Sequence, residues 1–146
     1  MAIRRAHTSW NGNIAEGTGH VTLVSSGAGA FDVSFPRRTA DDAEGVTSPE
    51  ELIAAAHSAC FSMALTGAIG RSGATPGTLE VDADVTLGPD PAGGSRITTI
   101  TLTVRGRVDG MDNATFVELA EGAKAGCPVS KALTGVEISL DAALAS

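Results

Sequence analysis

Two cysteines are the residues of this sequence whose chemistry is most specific. Cys60 lies in the most apolar stretch of the chain, and Cys127 comes immediately before a proline. A thiol attacks as the thiolate, and its unperturbed pKa is about 8.5, so a cysteine in apolar surroundings needs a nearby positive charge to react. The alternative is that Cys60 is only a small buried hydrophobic residue. In a reducing compartment two cysteines seldom form a structural disulfide, so redox chemistry, nucleophilic chemistry and simple packing are the explanations to compare.

Arg37 and Arg38 are the candidate positive partners of that thiol. They are expected to lie at the end of an N-terminal strand, and the alternative for both is a solvated strand end. Glu51 is expected to cap a helix, which leaves Glu50 free to bind an arginine through two parallel hydrogen bonds. Ten residues of helix rise about 15 Å. Glu50 therefore cannot contact Cys60 of its own helix, and any help it gives the thiol is expected across a dimer interface.

Cys127 occupies the predicted N-cap of a short helix, with Pro128 in its first turn. A helix N-terminus lowers the pKa of a thiol, and a more acidic thiol is the better leaving group in disulfide exchange. The sequence thus offers two differently tuned thiols. One hypothesis is that Cys60 attacks the O–O bond of a peroxide and becomes a sulfenic acid, which Cys127 then converts to a disulfide.

His57 suggests two other functions for this part of the chain. It lies three residues before Cys60 on the same helical face, which suggests a Cys-His pair for acyl transfer or half of a metal site. No second cluster of His and Cys at ligand spacing accompanies it, so a packed histidine is favoured. A further alternative is a small-molecule binding dimer, in which both cysteines merely pack against an apolar cleft.

The strongest local structural signal is a helix start that follows an acidic linker at residues 39–46. Ser48 is the expected N-cap, Pro49 fits the first helical position, and Glu51 completes a capping box. The helix is expected to end near Gly70. It is apolar almost all round but carries polar interruptions, which makes it a poor membrane span. A chain of 146 residues can hardly cover every side of it, so a dimer that buries the helix is expected.

Strand signals flank this helix. Residues 3–38 read as two or three short strands separated by turn residues. Alternating apolar residues over 79–87 and 100–108, joined by a glycine-rich loop, predict a hairpin. A helix capped by Asp112 and a last strand at 136–140 follow. This order predicts an α+β fold with antiparallel sheets, in a single domain over 1–146.

Composition excludes several function classes. The net charge of −7 disfavours binding to nucleic acid and to anionic membrane surfaces. Aromatic residues make up only 3% with no tyrosine, so stacking on bases is not expected. The first 13 residues lack the apolar run of a secretory signal, which predicts a cytoplasmic protein. No GxGxxG or P-loop spacing supports a nucleotide site.

The whole chain resembles the OsmC/Ohr peroxidase family, in its branch of osmotically inducible protein C. The runs TSPEELIAAAHSACFSMAL, at 47–65, and KAGCPVSKAL, at 124–133, carry the resemblance most strongly. The N-terminal AHTSWNGN and GTGHVTL and the closing VEISLDAAL match the family layout as well. The resemblance implies an intertwined α+β homodimer with antiparallel sheets packed on a long buried central helix, and with active sites at the subunit interface.

The resemblance also implies an activity and a set of site residues. The activity is thiol-dependent reduction of organic hydroperoxides to alcohols, without metal or flavin, in defence against oxidative and osmotic stress. A dithiol such as dihydrolipoamide, or a lipoylated protein, would return the electrons. By resemblance Cys60 is the peroxidatic cysteine, Cys127 the resolving cysteine, and Glu50 the acid that positions an arginine. The family arginine follows a strand-end aromatic by three residues, which selects Arg38 after Phe35.

Overall fold

The structure is a computed structural model that describes all residues, 1–146. The chain forms two compact units. The N-terminal unit is Met1–Leu52 and the C-terminal unit is Ile53–Ser146. The expectation of a single domain over 1–146 stays a prediction.

The N-terminal unit contains a small antiparallel meander, as the turn signals predict. Its strands follow one another in the order β1-β2-β3. The turn between the first two strands uses Asn13, whose side-chain oxygen accepts hydrogen bonds from two backbone N–H groups, and Gly12, whose φ of 94° suits glycine. The three strands are β1 (His7–Asn11), β2 (Thr18–Thr22) and β3 (Ala30–Val33).

A one-turn helix, α1 (Phe35–Arg38), follows the meander. Its N-cap is Ser34, whose hydroxyl accepts a hydrogen bond from the backbone N–H of Arg37, and Pro36 lies in its first turn. The expectation that Arg37 and Arg38 end a strand is therefore wrong. The reason is local, because a capping serine followed by proline favours a helical turn over a further extended residue.

The long helix α2 (Pro49–Arg71) begins where the capping signal predicts. The Ser48 hydroxyl accepts a hydrogen bond of 3.1 Å from the Glu51 N–H. The Glu51 carboxylate accepts a hydrogen bond from the Thr47 hydroxyl. The capping box thus has the expected bond to the Ser48 hydroxyl, and the bond to Thr47 takes the place of its second expected bond. The predicted start is confirmed and the predicted end is one residue short.

Burial of α2 within one chain is confined to a stripe. Four side chains of this helix, spaced four residues apart, are buried, whereas Met63 of the same helix is 74% exposed. The expectation of a helix buried on all sides is thus not met by a single chain. By length and composition α2 could also span a membrane, a property that core helices of soluble proteins share. The buried stripe is His57, Phe61, Leu65 and Ile69, and Glu50 in the first turn of the helix is buried as well.

The C-terminal unit contains a three-stranded sheet in the order β4-β5-β6. The predicted hairpin is confirmed, with β4 (Leu79–Pro89) antiparallel to β5 (Ser95–Gly106). The last strand, β6 (Glu137–Leu144), runs parallel to β5, which corrects the expectation of antiparallel sheets. A parallel neighbour requires a crossover connection, and two helices supply it: α3 (Asn113–Gly126) and α4 (Pro128–Ala132).

The hydrophobic core of the chain lies in the C-terminal unit. Buried side chains from α2, β5 and α3 form one cluster. Phe116 is fully buried, and a Cβ added at Gly106 would lie 2.5 Å from its ring. The absence of a side chain at Gly106, the last residue of β5, therefore makes room for the Phe116 ring of α3. As predicted, α3 is capped by Asp112, whose carboxylate accepts from the Thr115 N–H.

Candidate active site

The C-terminal unit brings the two cysteines together. The sulfurs of Cys60 and Cys127 lie 3.0 Å apart, although 67 residues separate them in the sequence. Both are free thiols in this structure. Cys127 is fully buried, whereas Cys60 is half-buried. The pair is therefore within hydrogen-bond distance, and Cys60 is its more accessible member.

Two helices position the pair. Cys60 lies near the middle of α2, and Cys127 is the residue between α3 and α4. The backbone N–H of Cys127 donates to Ala123 O at 2.8 Å, and its carbonyl accepts from the Lys131 N–H at 3.0 Å. The residue thus closes one helix and opens the next. Because both of its backbone groups are bonded within the two helices, the backbone that carries the Cys127 side chain is held in place.

The C-terminal unit disfavours ionisation of Cys60. Burial raises the pKa of this thiol, and the hydrogen bond with Cys127 raises it further. A hydrogen bond from the Val129 N–H lowers the pKa but offsets only part of this. The groups of this unit therefore leave the pKa of Cys60 above its ordinary value, and a positive charge is the kind of group that would reverse the shift.

The same surroundings favour ionisation of Cys127. Burial alone raises the pKa of this thiol, but hydrogen bonds from Cys60, from the backbone N–H and hydroxyl of Ser130, and from the Val129 N–H outweigh it. The pKa of Cys127 is lowered as a result. The direction agrees with the prediction for a thiol at the start of a helix.

His57 is bonded away from the thiols. Its Nε2 lies 2.8 Å from the Ser130 hydroxyl oxygen, and its Nδ1 is buried without a hydrogen-bond partner. The imidazole is fully buried, and burial lowers its pKa. Neither ring nitrogen is bonded to Cys60, so the arrangement lacks the thiol-imidazole hydrogen bond that a Cys-His nucleophile pair requires.

The N-terminal unit holds Arg38 and Glu50 together. The Arg38 Nε lies 3.1 and 3.0 Å from the two carboxylate oxygens, and its Nη2 lies 2.6 Å from Oε1. The Glu50 side chain is 9% exposed. The hydrogen bond from Arg38 holds the pKa of Glu50 below its ordinary value despite burial, and the same bond raises the pKa of Arg38. The guanidinium is therefore fixed in direction by a buried carboxylate.

Arg37 has different partners. Its guanidinium donates to the Glu44 carboxylate and, at 3.3 Å, to the carbonyl of Asp42. Both members of the Arg37–Glu44 pair are more exposed than Glu50. Of the two candidate arginines, the structure thus brings Arg38, and not Arg37, to Glu50.

A small apolar cavity of about 120 Å³ adjoins Arg38 within the N-terminal unit. Strand β3, helix α1, the first turn of α2 and the loop after β1 each contribute to its wall. The wall presents hydrocarbon and aromatic surface beside one guanidinium, an arrangement that suits a ligand with an apolar body and one polar end. The other lining residues are Trp10, Ile14, Val33, Ser34, Phe35 and Pro49.

Sequence reasoning missed one polar residue of the thiol surroundings, Ser130. It is 7% exposed and contacts His57, and its hydrogen bonds lower the pKa of Cys127. The available signal was its position three residues after Cys127, in the first turn of the helix that this cysteine precedes. The structure contains no group of three or more His, Cys, Asp or Glu side chains that could hold a metal ion.

Comparison with known proteins gives matches over most of the chain. The family model described as OsmC-like protein matches residues 41–141. The chain is 42% identical to Peroxiredoxin OsmC of Escherichia coli (strain K12) over 143 residues, which cover 98% of this chain and 97% of that protein. It is 34% identical over 115 residues to Organic hydroperoxide resistance protein OhrA of Bacillus subtilis (strain 168), which cover 77% and 79% of the two chains.

Solved structures share the fold. The organic hydroperoxide resistance protein OhrB of Bacillus subtilis superposes with a TM-score of 0.73 at 31% identity, over 97% of this chain and 98% of that one. An organic hydroperoxide resistance protein from Elizabethkingia anophelis, with thiocyanate bound, gives a TM-score of 0.78 at 27% identity and 99% coverage of both chains. The two small sheets and the helices described above therefore form the α+β fold of these proteins.

Proposed function

This chain belongs to the OsmC-like protein family, and from that membership we propose that it is a cysteine-based peroxidase that reduces organic hydroperoxides to alcohols. The relatives named peroxiredoxin and organic hydroperoxide resistance protein support a role in defence against peroxides. The observation that carries the proposal is the 3.0 Å separation of the Cys60 and Cys127 sulfurs. Two thiols at that distance can form a disulfide with little movement.

The proposed oxidative half-reaction proceeds in two steps. The Cys60 thiolate attacks one oxygen of the hydroperoxide, the O–O bond breaks, and the leaving alkoxide takes a proton to become the alcohol. Cys60 is thereby oxidised to sulfenic acid. The Cys127 thiolate then attacks the Cys60 sulfur, the S–O bond breaks, and hydroxide leaves to form water with a proton. The unequal exposure of the two thiols fits this division of roles, since the more accessible Cys60 meets the substrate.

Arg38 and Glu50 are assigned the electrostatic role. The guanidinium favours the ionised form of Cys60 and the negative charge that develops on the peroxide oxygen, and Glu50 holds the guanidinium in direction. The fixed Arg38–Glu50 pair supports this assignment. The apolar cavity beside Arg38 would receive the alkyl part of the substrate, which favours organic hydroperoxides over hydrogen peroxide.

The proposed assembly is an intertwined homodimer with its active sites at the interface. Eight large hydrophobic side chains are exposed in the single chain, and seven of them lie in the N-terminal unit. The eighth, Met63, lies on α2 beside an open groove of about 720 Å³ between α2 and α3. A second copy would bury this apolar surface and complete the burial of the central helix.

The proposal also covers the reductant, the need for cofactors and the cellular setting. A dithiol, dihydrolipoamide or a lipoylated protein, reduces the Cys60–Cys127 disulfide and is itself oxidised to a disulfide. The enzyme is proposed to be a single domain over 1–146 that needs no metal or organic cofactor. It works in the cytoplasm, against oxidative and osmotic stress, without binding nucleic acid or membrane.

Turnover with cumene hydroperoxide and dihydrolipoamide tests the function. The wild-type protein is expected to consume the hydroperoxide, and Cys60→Ser is expected to lose this activity because its hydroxyl is a far weaker nucleophile. One equivalent of hydroperoxide should give a Cys60–Cys127 disulfide, seen by mass under non-reducing conditions. Ser62→Ala, which alters another α2 side chain, is the matched control and should keep the rate. Full turnover by Cys60→Ser would refute the proposal.

The same assay separates the other two candidate functions. An acyl-transfer enzyme would form a thioester on Cys60 and would show no disulfide after peroxide. A small-molecule binding dimer would keep both thiols free and consume no hydroperoxide. The bonding of His57 to Ser130 rather than to Cys60 favours neither alternative.

A further inference from the structure

The middle strand of the N-terminal meander carries a glycine between two side chains that line the cavity beside Arg38. Gly19 of β2 is paired with Trp10 of β1 on one side and with Val33 of β3 on the other. A Cβ added at Gly19 would lie 2.9 Å from Trp10 Cε3 and 2.7 Å from Val33 Cγ2. The glycine therefore lets both side chains close over the middle strand, and together they form one wall of the cavity.

The indole of Trp10 is held at its polar end as well. Its Nε1–H donates a hydrogen bond of 2.8 Å to the carbonyl of Gly12, in the turn after β1. The ring is thus fixed between this bond and the contact over Gly19, although one side of it stays exposed. Phe35 of α1 lines the same cavity. The chain has one tryptophan and four phenylalanines, so two of its few aromatic rings meet at this place.

The cavity has room for about one ring. Its volume is about 120 Å³, and an apolar protein cavity of about 150 Å³ binds benzene. A phenyl group or a compact branched alkyl group therefore fits, whereas a long alkyl chain would leave most of its carbon atoms in water. Trp10 and Phe35 are 44% and 42% exposed, so a ligand can enter from the open side.

The cavity wall has one charged member. Arg38 lines the cavity, and its hydrogen bonds to Glu50 use only Nε and Nη2. The Nη1 group is therefore free to donate to an oxygen atom of a ligand. The site offers apolar and aromatic walls to an organic group and a fixed N–H donor to an oxygen attached to it. A hydroperoxide with a ring-sized organic group has both parts.

We propose that Trp10 is a specificity-determining residue and that this cavity takes one phenyl-sized group, so that the preferred substrates are hydroperoxides with a phenyl ring or a compact branched alkyl group rather than a long chain. Contact of the ring with the indole and burial of its hydrocarbon surface supply the preference. Carbon atoms beyond that group gain no burial. The inference rests on the proposed peroxidase function for its reaction, but the binding site can be tested without any reaction.

The fluorescence of the single tryptophan tests the site without turnover. The alcohol product 2-phenylpropan-2-ol is expected to change the Trp10 emission in a saturable way, because it binds against the indole. It should bind about tenfold more tightly than tert-butanol, the lower end of the gain from burying a phenyl-sized group. Gly19→Ala, whose added methyl meets the indole, should weaken this binding severalfold. Phe31→Ala is the matched control, because Phe31 of β3 does not line the cavity.

Stopped-flow oxidation of the reduced protein extends the test to the reaction. The ratio of the rates with cumene hydroperoxide and tert-butyl hydroperoxide should fall by about tenfold in Trp10→Ala. Trp10→Phe keeps an aromatic wall and should restore most of the ratio. Because the ratio is taken within each variant, it cancels the intrinsic reactivity of the two hydroperoxides and any general change in the thiols. Rates with straight-chain hydroperoxides should level off between hexyl and dodecyl.

An emission that does not saturate with 2-phenylpropan-2-ol would overturn the site, and so would an unchanged rate ratio in Trp10→Ala. Rates that keep rising from hexyl to dodecyl hydroperoxide would overturn the limit to one ring. A protein that binds the alcohol but consumes no hydroperoxide would lack the proposed function and keep the site. A protein that consumes hydroperoxides with the same ratio in every variant would keep the function and lose the site.

Discussion

The two units of this chain hold their important side chains by different physical means. In the C-terminal unit the thiol pair lies beside a buried aliphatic and aromatic cluster that draws on α2, β5 and α3. In the N-terminal unit Val21 is the only buried large hydrophobic residue, and the Arg38–Glu50 pair is fixed by hydrogen bonds and charge. Packing thus places the weakly bonding sulfurs, whereas the strongly bonding guanidinium needs only a short capped helix and one carboxylate.

This difference shows how each kind of reactive group can be held. A thiol makes weak hydrogen bonds, so its position must come from the backbone that carries it, and rigid helices in a packed core supply that. A guanidinium makes several directional bonds and can be fixed by its partner even in a unit with little core. The contrast predicts that changes in the two units will differ in size and in their response to pH.

The largest effect is expected from the core. Phe116→Ala should lower the free energy of unfolding by about 3–5 kcal/mol, because it removes a fully buried ring that packs against Gly106. The matched control in the N-terminal unit is Phe31→Ala. Its side chain is 38% exposed, and the expected loss is less than about 1 kcal/mol. Urea unfolding of both variants measures the comparison.

Equal losses in Phe116→Ala and Phe31→Ala would remove the distinction between a packed unit and a hydrogen-bonded one. A large loss in Phe31→Ala that grows as the protein is diluted would have a different meaning. It would place Phe31 in the contact between two copies of the chain, because only the stability of an oligomer depends on protein concentration.

An intermediate effect is expected from the arginines. Arg38→Ala should slow the reaction of the reduced protein with cumene hydroperoxide by about a hundredfold, the loss of one fixed electrostatic donor. Arg37→Ala is the matched control, because Arg37 is bonded to Glu44 and the Asp42 carbonyl instead of Glu50. Stopped-flow oxidation measures both rates. A slow Arg37→Ala beside a normal Arg38→Ala would mean that the wrong arginine has been assigned.

The smallest effect is expected from the stability of the ion pair. Glu50→Gln should cost about 1–2 kcal/mol at neutral pH, whereas Glu44→Gln in the more exposed pair should cost less than about 0.5 kcal/mol. The Arg38 hydrogen bond lowers the folded pKa of Glu50 from its ordinary value of 4.5. The stabilisation is therefore complete above that pH and is lost as the pH falls through the folded pKa.

Unfolding measured across this range checks the sign. The difference between the wild-type protein and Glu50→Gln should shrink as the solution is acidified below pH 4.5. A difference that stays constant or grows in acid would show that the Glu50 carboxylate is not stabilised in its ionised form by Arg38.

Sequence patterns gave the elements of this fold more reliably than the way the elements are joined. The start of α2 was predictable because Ser48, Pro49 and Glu51 each have a positional preference with a local cause. The alternation in β4 and β5 was equally clear. The parallel pairing of β5 with β6 was not, because side-chain alternation shows which face of a strand is buried and says nothing about the direction of its neighbour. Helix α1 was missed since four residues are too few to show a helical period.

The site was predictable to a similar extent. Cys60 and Cys127 could be singled out by residue type, but their approach to 3.0 Å depends on a crossover of two helices that no local pattern encodes. The pairing of Arg38 with Glu50 was expected from the resemblance to a known family, and Arg37 stayed an alternative from the residues alone. Ser130 was overlooked because a single serine in a short helix has many ordinary explanations.

The short gap between the two sulfurs has a consequence for the proposed catalytic cycle. A disulfide bond is about 2.0 Å long, so the sulfurs need to travel only about 1 Å to join. We therefore expect side-chain rotation, without unwinding of α2 or α4, to be enough for that step. The oxidised and reduced proteins should consequently share one backbone, and the pace of turnover should be set by the arrival of substrate and reductant rather than by any rearrangement of the chain.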